Sequence, residues 1–486
     1  MTSSRPRWGL AIAVAFGAAA YLGLVLLDRS AATLRDEHVP TTIAWWLLAW
    51  AGFAIAVAVN ERRAVSLRLL WTVAIASRVV LWLTEPTLSD DVYRYLWDGH
   101  LITEGVNPYR FAVSDPRLDE WAVPIRDLVN APTFATPYLP VTELVFAAVA
   151  AVAPLQATSM QVTMTGFDLA TIGVLLAALP RAGLPRRRVL LYAWNPLVVI
   201  EVAHGAHLDA LMTFLAVSAI ALADNRRWWA APALAAAAVL TRGLPALFLP
   251  LVVWRWRVRH WLVAAAVTLA LSAPFAAGAG LGLDPDDGPV GLLGSARVYA
   301  RDWQFNAEVF HWFQTVARWI GLSDPAAAGR TSVGVVMVGI VLASMWWLRP
   351  RADEARGDGT PSPSPERLLR EWRMAAVLLA AYAVLTTTLH PWYLVAAWAV
   401  APFVTPTASE SPRRWWLLAP AGYLSAMIVT SYLTYLDPNA HAELAWVRRL
   451  EWYPTLLLAA AVTAMATLNG RGTPGLDGTE AGRVDG

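Results

Sequence analysis

The sequence predicts an all-α, polytopic bundle of transmembrane helices, resting on three observations. Of 486 residues, 57% are hydrophobic and only 15% charged, where a soluble domain carries about a quarter charged residues. The mean hydropathy is +0.45. Apolar runs recur at the length of about 20 residues that a helix needs to cross the hydrocarbon core, as at 9–27, 41–60 and 161–180. The chain also lacks cysteine, and all 38 of its basic residues are arginine. Disulfides, thiolate sites, a P-loop lysine and a Schiff-base lysine are therefore excluded.

Taken in order, Arg5 and Arg7 precede the first apolar run, 9–27, which is too long for a signal-peptide core and reads as a retained helix. Arginine-rich loops stay cytoplasmic, so the basic loop at Arg62, Arg63 and Arg68 lies inside and the polar stretch 85–138 lies outside. Arg181 and Arg186, Arg187 and Arg188 return the chain to the inside. An odd number of crossings must separate them from Tyr138, so 139–155 reads as re-entrant or interfacial and 161–180 as the true span. Two helices follow, from Val189 and from Leu208, joined outside.

The run 228–254 is interrupted by Arg242-Gly243-Leu244-Pro245. A lone arginine at mid-bilayer costs about 2.5–3.5 kcal/mol, and both flanks are basic, so two half-helices with Arg242 at the outward apex are expected. In the second external loop, 308–322 sets Phe310, Phe313, Val316 or Ala317 and Ile320 on one face, suited to lying on the membrane surface. The segment 349–373 is rich in Pro, Ser, Gly and charge and reads as a disordered cytoplasmic linker. The expected organisation is thus N-terminal helices at 1–84, a first extracytoplasmic loop at 85–138 and a bundle at 139–277. A second loop at 278–330, one span at 331–348 and the linker 349–373 follow, then C-terminal helices at 374–468 and a disordered cytoplasmic tail at 469–486. That makes about 12–14 membrane segments.

On this topology the costly polar residues gather on the outer side. Asp90, Asp91, Arg94, Asp98 and His100 lie in the first loop, and Arg78 and Asp168 in the outer halves of their spans. Glu201, His204, His207 and Asp209 flank one turn, Arg242 tops the half-helices, and His390 and Tyr393 cap another pair. Ionisable groups at membrane depth are by default functional. Ser89 and Asp90 would also serve as helix caps. His204, His207 and Asp209 have ligand-like spacing, but the chain has neither HExxH nor cysteine, and no GxSxG elbow occurs. No cofactor or divalent metal is expected, and no nucleic-acid partner.

These residues suit glycosyl transfer at the outer leaflet. Nucleotide sugars are cytoplasmic, so an outward-facing transferase would draw on a polyprenyl-phosphate sugar donor admitted from the lipid bilayer. Its phosphate needs charge stabilisation from an arginine or histidine, and the glycan or glycolipid acceptor needs a carboxylate base. Asp90 and Asp91 are the candidate catalytic pair. Arg78, Arg94, His100, Asp168, His207, Asp209, Arg242, His390 and Tyr393 are the candidate phosphate- and substrate-binding set.

Pro86-Thr87-Leu88-Ser89-Asp90-Asp91-Val92-Tyr93-Arg94-Tyr95-Leu96-Trp97-Asp98-Gly99, followed by Gly105-Val106-Asn107-Pro108-Tyr109, resembles the first external loop of the GT-C glycosyltransferases. The nearest likeness is to bacterial polyprenyl-phosphate-mannose-dependent mannosyltransferases, the mycobacterial α-(1→6) enzymes among them. Trp194-Asn195-Pro196-Leu197, with Gly205, His207 and Asp209, and His390-Pro391-Trp392-Tyr393 extend it over most of residues 70–405. The resemblance implies an inverting mannosyltransferase in the bacterial plasma membrane whose catalytic base is an aspartate of the first external loop. Asp90 falls where the first acid of the related Asp-x-Asp motif falls. The second acid matches Val92, with Asp91 offset, so both aspartates stay candidates. Arg242 stands where relatives often carry lysine. A GT-C enzyme moving arabinose or glucose, and a flippase or transporter, are the alternatives.

Overall fold

A computed structural model describes residues 5–30, 38–223, 227–253, 255–349, 364–404, 414–436 and 443–470. Among them the chain is helical, and its one β feature is an isolated bridge between Phe305 and Thr388. Helices α1 (Arg5–Ser30) and α2 (Val39–Arg62) pack along each other, and α1 also meets α3 (Leu67–Leu81). Among the described residues, six helical segments have the length and apolarity to cross a membrane: Trp8–Arg29, Val39–Arg62, Ala157–Arg181, Val258–Ala279, Pro325–Trp347 and Trp416–Leu436. Shorter apolar helices fill the space between them.

The stretch 85–138 is a folded cap rather than an open loop. It begins with α4 (Asp91–Thr103), which lies on α5 (Pro140–Val152). The two approach so closely at Gly99 that a Cβ there would stand 2.5 Å from the Phe146 carbonyl oxygen, a place only glycine can take. Trp97 and Leu101 then close a small core with Val113, Leu118 and Val129.

α6 (Ala157–Arg181) is followed by α7 (Leu190–Ala193) and α8 (Pro196–Val199). The single helix expected from Val189 is therefore broken. Trp194 and Asn195 leave the helix, the Asn195 side chain accepts from the Val198 amide (3.3 Å), and Pro196 starts the next turn. Proline at the first helical position needs no N–H partner, and asparagine is a favoured cap. The Trp194-Asn195-Pro196 motif thus has a structural task. After a π turn, Ile200–His204, the chain enters α9 (Asp209–Ala221), which packs on α6.

The break at Arg242 separates α10 (Ala230–Val239) from a 3-10 turn, Leu244–Phe248, and α11 (Leu249–Val253). α12 (Val258–Ala279) follows, with α13 (Gly294–Asp302), α14 (Glu308–Trp319) and α15 (Pro325–Trp347). α12 and α15 stand at the rim with most of their apolar side chains exposed, as lipid-facing helices do. The apolar face expected of α14 is divided. Phe310 and Ala317 are buried, while Val316 and Ile320 are exposed, because α15 covers only one side of the helix.

α16 (Pro365–Leu385) begins inside the expected linker, which is therefore helical from Pro365 onward; 350–363 lie outside the described residues. Its first turns are held by Arg255, which forms an ion pair with Glu371. α16 also ends before 389, where Thr386 to Leu389 run extended beside Phe305. α17 (Val395–Val404), α18 (Ala419–Met427) and α19 (Ala445–Gly470) complete the chain. Most of the expected tail, 471–486, lies outside the described residues.

Candidate active site

Four elements from distant parts of the sequence meet at one end of the bundle: the start of α4, the turn before α9, the break after α10, and the segment leading into α17. At the start of α4, Ser89 caps the helix by accepting from the Asp91 amide (3.2 Å), and Asp90, the residue in the cap position, makes no side-chain cap bond. That leaves the Asp91 carboxylate for longer-range partners. Asn130 Nδ2 donates to its Oδ1 (2.9 Å), and its Oδ2 lies 3.9 Å from His207 Nδ1.

Arg94, one turn further on, explains why Asn130 is there. Its guanidinium donates to the carbonyls of Asn130 (2.7 Å), Ala131 (2.9 Å) and Phe134 (3.1 Å). This pins the returning chain over the first turn of α4. Arg94 therefore orders the cap, and its bonds to the protein leave it no place as a substrate ligand. His100 does not reach the site either. Nine residues along α4 is roughly 13 Å from Asp91, and its Nε2 lies 3.1 Å from the Trp121 carbonyl oxygen. Between them Asp98 is buried beside Glu143 and Arg94. Burial pushes its carboxyl up to about 6, against the pull of Arg94 and a hydrogen bond from Thr136.

The turn before α9 supplies His207 and Asp209. The His207 ring lies flat on Trp392 (centroids 3.8 Å apart), Trp392 on His390 (4.6 Å), and His390 on Phe305 (4.7 Å). A four-ring stack thus forms one wall. Pro391 follows His390 at the first position of a short helical turn, which holds this segment in register.

Opposite stands Arg242. Its Nη1 donates to both oxygens of Asp209 (3.0 and 3.2 Å), its Nη2 donates to the Tyr393 hydroxyl (2.7 Å), and its guanidinium lies 4.1 Å from the centre of the Tyr393 ring. The Tyr393 and Tyr299 hydroxyls are 2.9 Å apart. Tyr95, Tyr138 and Tyr299 are each within electrostatic reach of both Asp91 and Arg242. Arg242 keeps 23% of its side chain exposed and Asp91 keeps 19%.

Arg78 and Asp168 are elsewhere. Both side chains are wholly buried and bonded to each other, and Arg78 Nη1 also donates to the Ala74 and Ala193 carbonyls (2.9 Å each). Arg78 and Arg242 thus each pair with an aspartate from another helix. Of the predicted set, Asp91, His207, Asp209, Arg242, His390 and Tyr393 are gathered, with Asp90 adjacent to Asp91. Arg78, Asp168, Arg94 and His100 are not.

Sequence reasoning missed Asn130, Tyr299 and Trp392, and it left Glu201 out of the site. Glu201 is fully buried, with Oε2 3.3 Å from His207 Nε2, and Tyr432 donates to its Oε1 (3.3 Å). A fully apolar run interrupted by one glutamate was the available signal. Among the described residues no group of three or more His, Asp or Glu side chains is placed to hold a metal ion.

Comparison with known proteins adds the following. The family described as "Alpha-(1->6)-mannopyranosyltransferase, N-terminal domain" matches residues 11–258, just over half the chain. Alpha-(1->6)-mannopyranosyltransferase A of Mycobacterium tuberculosis is 28% identical over 458 residues, covering 88% of this chain and 80% of its own. The enzyme of the same name from Corynebacterium glutamicum is 28% identical over 224 residues, 43% of this chain and 44% of its own. Among solved structures, ArnT from Cupriavidus metallidurans bound to undecaprenyl phosphate aligns over 84% of this chain and 73% of its own, with 14% identity and a TM-score of 0.42.

Proposed function

The chain belongs to the alpha-(1->6)-mannopyranosyltransferase family and is a multi-pass membrane α-mannosyltransferase; on that premise we propose its donor, its orientation and its base. The donor is a polyprenyl-phosphate-mannose, the acceptor a lipid-linked or cell-envelope glycan, and the reaction proceeds with inversion on the extracytoplasmic side. Asp91 is the general base. Family membership favours mannose over arabinose or glucose, and transfer over transport.

The observation that carries this reading is that a partly open carboxylate, Asp91, and a partly open guanidinium, Arg242, are brought together around His207, Asp209 and Tyr393. Arg242 and the Tyr393 and Tyr299 hydroxyls suit a phosphate that gains charge as it leaves. The stacked rings of His207, Trp392 and His390 cover one another's faces and hold this side of the site in place. The acceptor O–H bond breaks as Asp91 takes the proton, the acceptor oxygen bonds to the sugar C1, and the C1–O bond to phosphate breaks. One displacement with one base inverts the anomeric centre.

Orientation is supported by the other end of the bundle, where the arginine-bearing segments meet. Asn60 Nδ2 donates to the Arg187 carbonyl (3.0 Å), Arg373 Nε to the Phe403 carbonyl (3.4 Å), and Arg255 pairs with Glu371. The arginine-rich end is cytoplasmic by the positive-inside rule, so Asp91 faces outward. A single cysteine at exposed Ser114 is expected to label on intact cells; labelling only after permeabilisation would reverse the orientation and remove the reason for a lipid-linked donor.

Reconstitution with radiolabelled polyprenyl-phosphate-mannose and an α-(1→6)-mannobioside tests the base. Asp91→Asn should lower turnover by about 10²–10⁴-fold in a folded, inserted protein, while Asp90→Asn keeps measurable turnover. The reverse pattern moves the base to Asp90, and wild-type turnover in both variants places the site elsewhere.

A further inference from the structure

The two oxygens of the Asp91 carboxylate are treated differently by the fold. Asn130 Nδ2 donates to Oδ1 (2.9 Å), whereas Oδ2 accepts no hydrogen bond among the described residues. The His207 Nδ1 that faces Oδ2 stands 3.9 Å away, beyond hydrogen-bonding reach, and the side chain keeps 19% of its surface exposed. An ionised carboxylate only accepts, so the amide of Asn130 must present its NH₂ group to it. The end torsion of a free aspartate is broad and nearly two-fold. One bonded oxygen removes that freedom and leaves the other oxygen for an incoming proton.

Asn130 belongs to the returning chain of the cap, 39 residues from Asp91, where a connecting segment is by default mobile. Here it is fastened on every side. All the hydrogen bonds of buried Arg94 go to this corner, to the carbonyls of Asn130, Ala131 and Phe134. The Phe134 amide turns back onto the Ala131 carbonyl (3.1 Å), and the Ser114 amide donates to the Pro132 carbonyl (2.8 Å). Beyond the corner, the Ala135 amide donates to the Pro289 carbonyl (3.2 Å), and the Phe134 ring meets Trp303 edge-on with centroids 5.4 Å apart. The backbone is also strained to make the corner, since Ala131 has φ +44°, a region alanine rarely adopts. Such strain collects where function holds it. A buried cation is thus spent on the main chain of the residue whose side chain bonds Asp91.

We propose that Asn130, set in place by the Arg94 corner, is the positioning residue of the base: it holds Oδ1 so that Oδ2 takes the acceptor's proton. The proposal rests on Asp91 being that base. In the transfer step the acceptor O–H bond breaks as an O–H bond forms at Oδ2. The electron pair left on the acceptor oxygen forms its bond to the sugar C1, and the pair of the C1–O bond leaves with the phosphate. Asn130 keeps both its amide protons and its bond to Oδ1 throughout. It touches neither the sugar nor the phosphate, and acts only through Asp91.

The test uses the full-length protein in lipid nanodiscs with polyprenyl-phosphate-[14C]mannose and an α-(1→6)-mannobioside. Asn130→Ala removes the donor but leaves the Arg94 corner, which is made of main-chain carbonyls. The expected result is a kcat about 10- to 100-fold lower, with the KM values for donor and acceptor unchanged. In an Asp91→Asn background, Asn130→Ala should cost nothing further, because a group that acts through the base then has nothing to position. A wild-type kcat in Asn130→Ala, a rise in either KM, or the full loss repeated in the Asp91→Asn background overturns the proposal. Normal turnover of Asp91→Asn instead overturns the base, whatever Asn130→Ala does. Should Asn130→Ala not fold, Asn130→Asp keeps the shape and sets a like charge against Asp91. Its turnover relative to the unsubstituted protein should rise as the pH falls and the introduced carboxyl gains a proton to donate to Oδ1. A ratio that stays flat with pH overturns the proposal.

Discussion

Two arginine–aspartate pairs cross this bundle, and what each arginine has left once its pair is formed separates them. Arg78 spends itself on the protein: it bonds Asp168 and two backbone carbonyls, and neither side chain of the pair has any exposed surface. Arg242 bonds Asp209 and the Tyr393 hydroxyl but keeps 23% of its side chain exposed. Pairing holds both guanidiniums in place. In the first pair that is the whole outcome, and in the second it orients a charge for something else. A charge closed off inside the fold is scaffold, and a paired charge that keeps exposed surface is a binding group.

The sharpest way to break this comparison is to remove Arg78. Arg78→Gln leaves Asp168 charged and alone in the bundle, which costs about 3–5 kcal/mol. The expected result is a large drop in thermal stability and yield. The double variant Arg78→Met with Asp168→Leu should recover both stability and transfer, since apolar replacement of a whole buried pair is often neutral. A stable Arg78→Gln protein with weakened donor binding would return Arg78 to the site.

Arg242→Gln also strands a buried carboxylate, Asp209, so yield falls here too; what sets it apart is that in the folded fraction the apparent KM for the lipid donor rises while that for the acceptor does not. A hydrogen bond to a charged group contributes about 1.5–3 kcal/mol, so donor kcat/KM should fall about 10- to 150-fold. Arg242→Lys should recover part of this, keeping the charge and losing the fork that reaches both Asp209 and Tyr393. An equal effect on donor and acceptor would make Arg242 a general support.

The same comparison explains how far the sequence could be read. Hydrophobic length and arginine placement carry the membrane class and the break at Arg242, because each is a local property of the chain. The partners are not local. Asp168 is 90 residues from Arg78, and Tyr393 is 151 residues from Arg242. Without them the two arginines look alike. Arg94 and His100 misled for a related reason. They share a helix with Asp91, but one turn of α4 faces the returning chain and the far end faces Trp121. Asp90 and Asp91 are separated by the cap itself: Ser89 takes the capping bond at Asp91's own amide, and the carboxylate of Asp91 is left for Asn130 and His207. The Trp194-Asn195-Pro196-Leu197 motif was legible only as part of the resemblance, and its structural task, a helix cap, needs the fold to be seen.

The smallest effect is expected from metal removal, and it probes whether Arg242 alone balances the leaving phosphate. His204, His207 and Asp209 have the spacing of ligands in sequence, but they are turned to different partners. Both oxygens of Asp209 accept from Arg242, His204 faces Asp28, and His207 lies flat on Trp392 between Asp91 and Glu201. Drawing them together around an ion would break the Arg242–Asp209 pair that orients the guanidinium. A lipid monophosphate also carries less charge than a nucleotide diphosphate, within what one arginine and two tyrosine hydroxyls can neutralise. Exhaustive EDTA treatment should therefore leave the transfer rate unchanged, and a β-linked polyprenyl-phosphate-mannose should give an α-mannoside by NMR. Activity lost to EDTA and restored by Mg²⁺ or Mn²⁺ would mean that a cation shares the phosphate with Arg242. A β-product from a β-donor would require a second displacement, and with it a nucleophile on the sugar face that Asp91 alone cannot supply.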